Sequence, residues 1–117
     1  MNLNRYFPAA IASYDLIHIA PWTAALGLFA GAARVLPTDD VLYLYGPFKR
    51  DRRHTAPSNA AFDESLQTRN PEWGVRDLGD VTAACAKAGF GLPEIVSMPA
   101  NNLSIAFRYQ STAIRAI

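Results

Sequence analysis

Short unbroken apolar runs alternate along this chain with longer stretches in which apolar residues recur every third or fourth position. Buried parallel strands give the first pattern and amphipathic helices the second. Tyr14–Ile19 reads as the first strand. Pro21 ends it and suits the first turn of a helix. That helix is expected from about Trp22 to Leu36, with Trp22, Ala25, Leu26, Phe29, Ala33 and Leu36 on its apolar stripe, and Pro37 stops it. Val41–Tyr45 is the second strand. It does not alternate polar with apolar, so both of its faces are expected to be covered.

A long polar loop, Phe48 to Pro57, follows the break at Gly46-Pro47. Ser58 is placed to cap a helix running to about Arg69, with Phe62 and Leu66 on its buried face. Asp77 starts another helix, with Asp80 three residues on as in a capping box. Leu78, Val81, Cys85 and Ala88 form its stripe, and Gly89 falls at the left-handed C-cap. Leu92–Met98 reads as a strand and Pro99–Asn102 as a turn. Leu103, Ile105 and Phe107 alternate with Ser104, Ala106 and Arg108, the mark of a half-buried strand. A link this short makes the last two strands antiparallel. The fold class is therefore α/β, with parallel first strands joined through a helix and helices on both faces of the sheet.

The 117 residues fit one small domain, half of it hydrophobic, and the formal net charge is +1. So small a charge supplies no field for nucleic acid or an anionic membrane. The longest apolar stretch, Leu16 to Leu36, is interrupted by Pro21 and contains His18 and Arg34, so it reads as strand plus helix rather than a membrane span. Cys85 is the only cysteine, which excludes an internal disulfide and fits a reducing, cytoplasmic setting. No metal site is expected, since His18 and His54 share no ligand spacing with Cys85 or with a carboxylate cluster.

In open parallel sheets, ligands bind beyond the carboxyl ends of the strands. That rule selects His18 to Trp22 and Tyr45 to Lys49. His18 has the chemistry of a base or a hydrogen-bond donor, against the plainer reading of a histidine satisfied by backbone. Trp22 can stack on a ring or simply fill the core. The loop Lys49-Arg-Asp-Arg-Arg-His54 holds four of the chain's eleven Lys and Arg. It has the charge to meet a phosphate or an acidic substrate, although a solvated loop is the simpler account. Asn59, Asn101 and Asn102 lie near prolines, where asparagine commonly bonds its own backbone. No Gly-x-Gly-x-x-Gly or Walker loop occurs.

Four segments together carry a resemblance that covers Tyr14 to Arg108. They are Ile17-His-Ile-Ala-Pro-Trp22, Tyr45-Gly-Pro-Phe-Lys49 continuing through Thr55-Ala-Pro-Ser-Asn-Ala-Ala-Phe-Asp63, Asn70-Pro-Glu-Trp-Gly-Val-Arg-Asp77, and Met98-Pro-Ala-Asn-Asn-Leu103. The chain resembles the methyltransferase-like protein 26 family, also called domain of unknown function 938. The resemblance implies a class I, Rossmann-like fold that uses S-adenosylmethionine, with sheet order 3-2-1-4-5-7-6. The strands read above would be strands four to seven, in the order 4-5-7-6.

It also implies an amino-terminally truncated member, because the glycine-rich cofactor loop and the strand-two acid of the family are missing. Residues 1–13 stay unassigned, residues 14–109 form the half-domain and residues 110–117 a tail. By position, His18, Pro21, Trp22, Tyr45, Lys49 and Asn59 would line the substrate side, with His18 also beside the cofactor. The catalytic residue and the methyl acceptor are left open. The alternative is a non-enzymatic, self-associating interaction module. Self-association is expected in either case, because Tyr14–Ile19 would be an unprotected sheet edge.

Overall fold

The protein is described here by a computed structural model, which covers residues 10–14 and 16–110. The order of elements is β1 (Ala10–Tyr14), α1 (Trp22–Val35), β2 (Val41–Gly46), α2 (Pro57–Arg69), α3 (Leu78–Ala88), β3 (Glu94–Met98) and β4 (Asn102–Arg108). The sheet runs β1-β2-β4-β3. β1 and β2 are parallel, and β4 is antiparallel to both of its neighbours. This is the expected mixed α/β arrangement, with the last strand inserted between the second and third.

The first strand lies upstream of its expected place. Tyr14 is the last residue paired, opposite Tyr45, and Leu16 to Ala20 form turns and bends. The apolar character of Leu16 to Ile19 suggested a ladder, but their carbonyls are served differently. Arg76 Nε donates to Ile17 O at 3.0 Å, an Arg76 terminal nitrogen donates to Ala20 O at 2.6 Å, and the Gly74 N–H donates to His18 O at 2.8 Å. Loop and side-chain donors take the part that a neighbouring strand would play. Residues 10–13, placed in an unassigned segment by the sequence, are therefore strand. The rest of that segment and residues 111–117 of the tail lie outside the described residues.

Cover on both faces is also corrected. Alternation places Leu42, Leu44, Leu103, Ile105 and Phe107 on one face, where they pack with Ala25, Phe29 and Ala32 of α1 and with Val81 and Cys85 of α3. On the other face Tyr43 is 44% exposed and Val96 57%, and no helix covers them among the described residues. An apolar run therefore does not require two covered faces, because tyrosine tolerates a half-wet position.

α3 is built as expected. The Asp77 carboxylate accepts from the Gly79 N–H at 2.9 Å, and Gly89 ends the helix at φ 118°. Asp80 does not reach back to complete a capping box; it pairs with Arg52. α2 differs more. Ala56, not Ser58, is its N-cap, no side chain caps it, and Pro57 is the first helical residue. Its buried residues are Asn59, Asp63 and Leu66, while Phe62 is only half-buried. β3 begins at Glu94, which leaves Leu92 in an exposed link. No helix among the described residues is long and apolar enough to cross a membrane.

Candidate functional site

The parallel pairing of β1 with β2 brings the loops after both strands to one edge of the sheet. The β3–β4 turn arrives at the same edge, because Leu103 pairs with Gly46. Three further segments close over this edge: the hairpin at Lys49 to His54, the start of α2, and the stretch from Asn70 to Asp77.

His18 lies at the bottom of this assembly with no exposed surface. Its Nδ1 accepts from the Arg76 N–H at 3.0 Å, and its ring meets Phe48 edge-on with centroids 4.7 Å apart. Burial first, and then the Arg76 charge, lower its pKa to about 4. The ring is therefore neutral near pH 7, and the bond to Nδ1 assigns the proton to Nε2. Nε2 is buried without a hydrogen-bond partner among the described residues. With Nδ1 already occupied, a base role has no free lone pair in this arrangement, and the remaining capacity is that of an N–H donor.

Asp63 is the hub beside it. One carboxylate oxygen accepts from the Val75 N–H at 2.8 Å and from Gln67 Nε2 at 2.9 Å. The other lies 3.1 Å from His54 Nε2 and 3.7 Å from Lys49 Nζ. Burial opposes the charged form, but the Gln67 and Val75 hydrogen bonds, together with the Lys49 and His54 charges, outweigh it and hold the carboxyl below its ordinary range. One buried carboxylate thus ties together α2, the hairpin and the segment before α3.

Arg76 is the second organiser. Besides Ile17 O and Ala20 O, it donates to Glu72 O at 2.9 Å, and its guanidinium lies 5.6 Å from the Trp22 ring centroid. Burial lowers its pKa.

The residues expected at the site divide into three groups. His18 and Asn59 are buried supports: Asn59 Nδ2 donates to Thr55 Oγ1 and to Asn101 O, both at 3.1 Å, fastening α2 to the β3–β4 turn. Pro21, Trp22 and Lys49 keep partly open surface at the rim. Tyr45 is the next-to-last residue of β2 at this edge but, being in register with Ser104, belongs to the face opposite the helices. The basic loop is a tight hairpin in which Arg50 and Arg53 exchange backbone hydrogen bonds across Asp51 and Arg52, whose φ values are 52° and 67°. Arg52 forks onto Asp80 at 2.7 and 2.8 Å.

Sequence reasoning missed Asp63, Arg76 and the Asp63–His54 pair. The available signal was the spacing of Asn59, Asp63 and Leu66, a buried helical stripe with two polar members. Among the described residues, no group of three or more His, Cys, Asp or Glu is placed to hold a metal. Trp22 and Lys49 also border a cleft of about 770 Å³ between α1 and α3.

A family model described as "Protein of unknown function (DUF938)" matches residues 4–109. Among solved structures, human N-acetylserotonin methyltransferase in complex with SAM superposes with a TM-score of 0.78 at 11% identity, over 87% of this chain and 29% of that one. The S-adenosylmethionine-dependent methyltransferase SibL, in its apo form, gives 0.70 at 19% identity, over 90% and 33%. An O-methyltransferase family protein from Burkholderia thailandensis gives 0.73 at 15% identity, over 92% and 32%. The fold is that of part of a methyltransferase domain, and the chain spans about a third of the length of the structures it matches.

Proposed function

Because the chain belongs to the DUF938 family, we propose that it is the acceptor side of an S-adenosylmethionine-dependent methyltransferase fold of the methyltransferase-like protein 26 type. What supports this reading is the sheet order β1-β2-β4-β3 with an antiparallel β4, superposing on methyltransferases over 87–92% of the chain. In such a reaction the protein mainly orients the acceptor and stabilises charge. In this reading Lys49 and Trp22 would touch an acceptor, with Pro21 beside them; their partly open surface at the rim supports it. Asp63, Arg76, His18 and Asn59 hold the loops that carry them.

The residues described do not by themselves form a cradle for S-adenosylmethionine. The sequence has no glycine-rich loop to approach the methionyl end. The buried carboxylates at this edge are already engaged: Asp63 by Val75, Gln67 and His54, and Asp77 by the N–H groups of Gly79 and Arg52. Neither is free to take a ribose diol. The cofactor would be held by elements beyond those described, and the acceptor side would be completed by them. Calorimetric titration of the 117-residue chain with S-adenosylmethionine tests this. The expected dissociation constant is weaker than about 1 mM, equivalent to about 4 kcal/mol of binding free energy at most. Micromolar binding would overturn the assignment of the cofactor to other elements.

The same reading supports self-association of the isolated chain. Among the described residues β1 pairs only with β2, and its other edge has no strand beside it, the kind of edge that invites pairing with a second chain.

A further inference from the structure

We propose that the cleft between α1 and α3 binds a small planar aromatic molecule carrying one anionic group. This concerns binding alone and does not depend on methyl transfer. One wall is the α1 stripe of Trp22, Leu26 and Phe29, and the other is Ala83, Ala84 and Ala88 of α3. The short alanine side chains leave a slot where larger ones would have closed the helices together. Leu26 lies on the apolar stripe of α1 yet is 42% exposed, so the slot offers hydrocarbon surface to a ligand. Its volume of about 770 Å³ falls within the range of about 300–1,000 Å³ usual for small-molecule sites. From Asp80 to Lys87 the helix rises by about 10 Å, enough for a bicyclic ring.

The charges select the sign of the ligand. Lys49, Arg52, Arg76 and Lys87 border the cleft, against Asp77 and Asp80. Asp80 is neutralised by the Arg52 fork, and the Asp77 oxygens accept the N–H groups of Gly79 and Arg52. Asp77 keeps its charge, but both of its oxygens are turned to the loop N–H groups, and the cations bordering the cleft outnumber the acids four to two. Lys49 is partly balanced by Asp63 at 3.7 Å, and Arg76 is bound to three carbonyls. The Lys87 side chain makes no hydrogen bond or ion pair among the described residues. It lies at the end of the slot, in the last turn of α3, where it can meet an acid whose ring lies along the alanine wall.

The probes are 2-naphthoate and its neutral isostere 2-naphthamide, titrated into the isotopically labelled chain and followed by backbone amide shifts. The expected shifts concentrate in residues 22–29 and 83–88, with naphthoate about fivefold tighter, as one partly exposed ion pair allows. Lys87→Gln should equalise the two ligands, and Ala84→Leu should fill the slot and weaken both. Shifts elsewhere or none, equal affinities in the unaltered chain, or a preference that survives Lys87→Gln would each overturn the proposal. The Lys87 change is on the surface, so its result stands even if Ala84→Leu disturbs the packing.

Discussion

The two faces of the sheet are made by the same strands and differ in almost everything else. On the helix side, Leu42 faces Phe107 and Leu44 faces Ile105, all of them buried under α1 and α3. On the far side, Tyr43 lies opposite Ala106 and Val96 opposite Ser104, and Tyr43, Val96 and Met98 are exposed. A sheet in an α/β fold ordinarily has both faces covered. Among the described residues this one is covered by helices on one side only, and the structures it superposes on are chains about three times as long.

The comparison is broken most strongly by unequal truncations. Phe107→Ala should cost about 3–5 kcal/mol in urea denaturation, through lost burial and the cavity left behind. Tyr43→Ala, on a neighbouring strand but on the open face, should change stability by only about 0.5 kcal/mol. Comparable losses at the two positions would mean that the far face is sealed after all.

Acid should act through the carboxyl edge rather than through either face. His18 titrates at about 4 when folded, against about 6.5 unfolded, so between these values the unfolded chain binds more protons. The stability this ring contributes is present above pH 6.5 and is lost as the pH falls toward 4, to a total of about 3 kcal/mol. The depressed pKa of Asp63 works in the same direction at lower pH. Denaturation curves at pH 7, 5 and 4 measure the loss, and His18→Gln should flatten the upper part of the profile.

The smallest effect belongs to the β3–β4 turn. Ala100 has a φ of 62°, a left-handed conformation that costs an L-residue free energy. Ala100→Gly should therefore stabilise the chain by about 0.5–1 kcal/mol, read as a raised denaturation midpoint.

The contrast also explains what was legible in the sequence. α1, α3, β2 and the β3–β4 hairpin follow from periodicity and turn residues, because apolar burial decides them. β1 was misplaced because Leu16 to Ile19 are mostly apolar but belong to a loop, Leu16 to Ala20, whose carbonyls bond Arg76 and Gly74, partners 56 or more residues away that no local pattern reveals. At the site, proximity to strand ends selected His18, Trp22 and Lys49. It missed Asp63 and Arg76, whose importance comes from the number of loops each one holds. Tyr45 showed the limit of that rule, since a residue at the correct edge can still belong to the other face.

Sedimentation equilibrium of the isolated chain over a range of concentrations tests the one-sided sheet most directly. The account predicts concentration-dependent association, through the unpaired edge of β1 and the uncovered face together, that weakens when Tyr43 and Val96 on that face are replaced by lysine. A folded, concentration-independent monomer, unchanged by those substitutions, would contradict it.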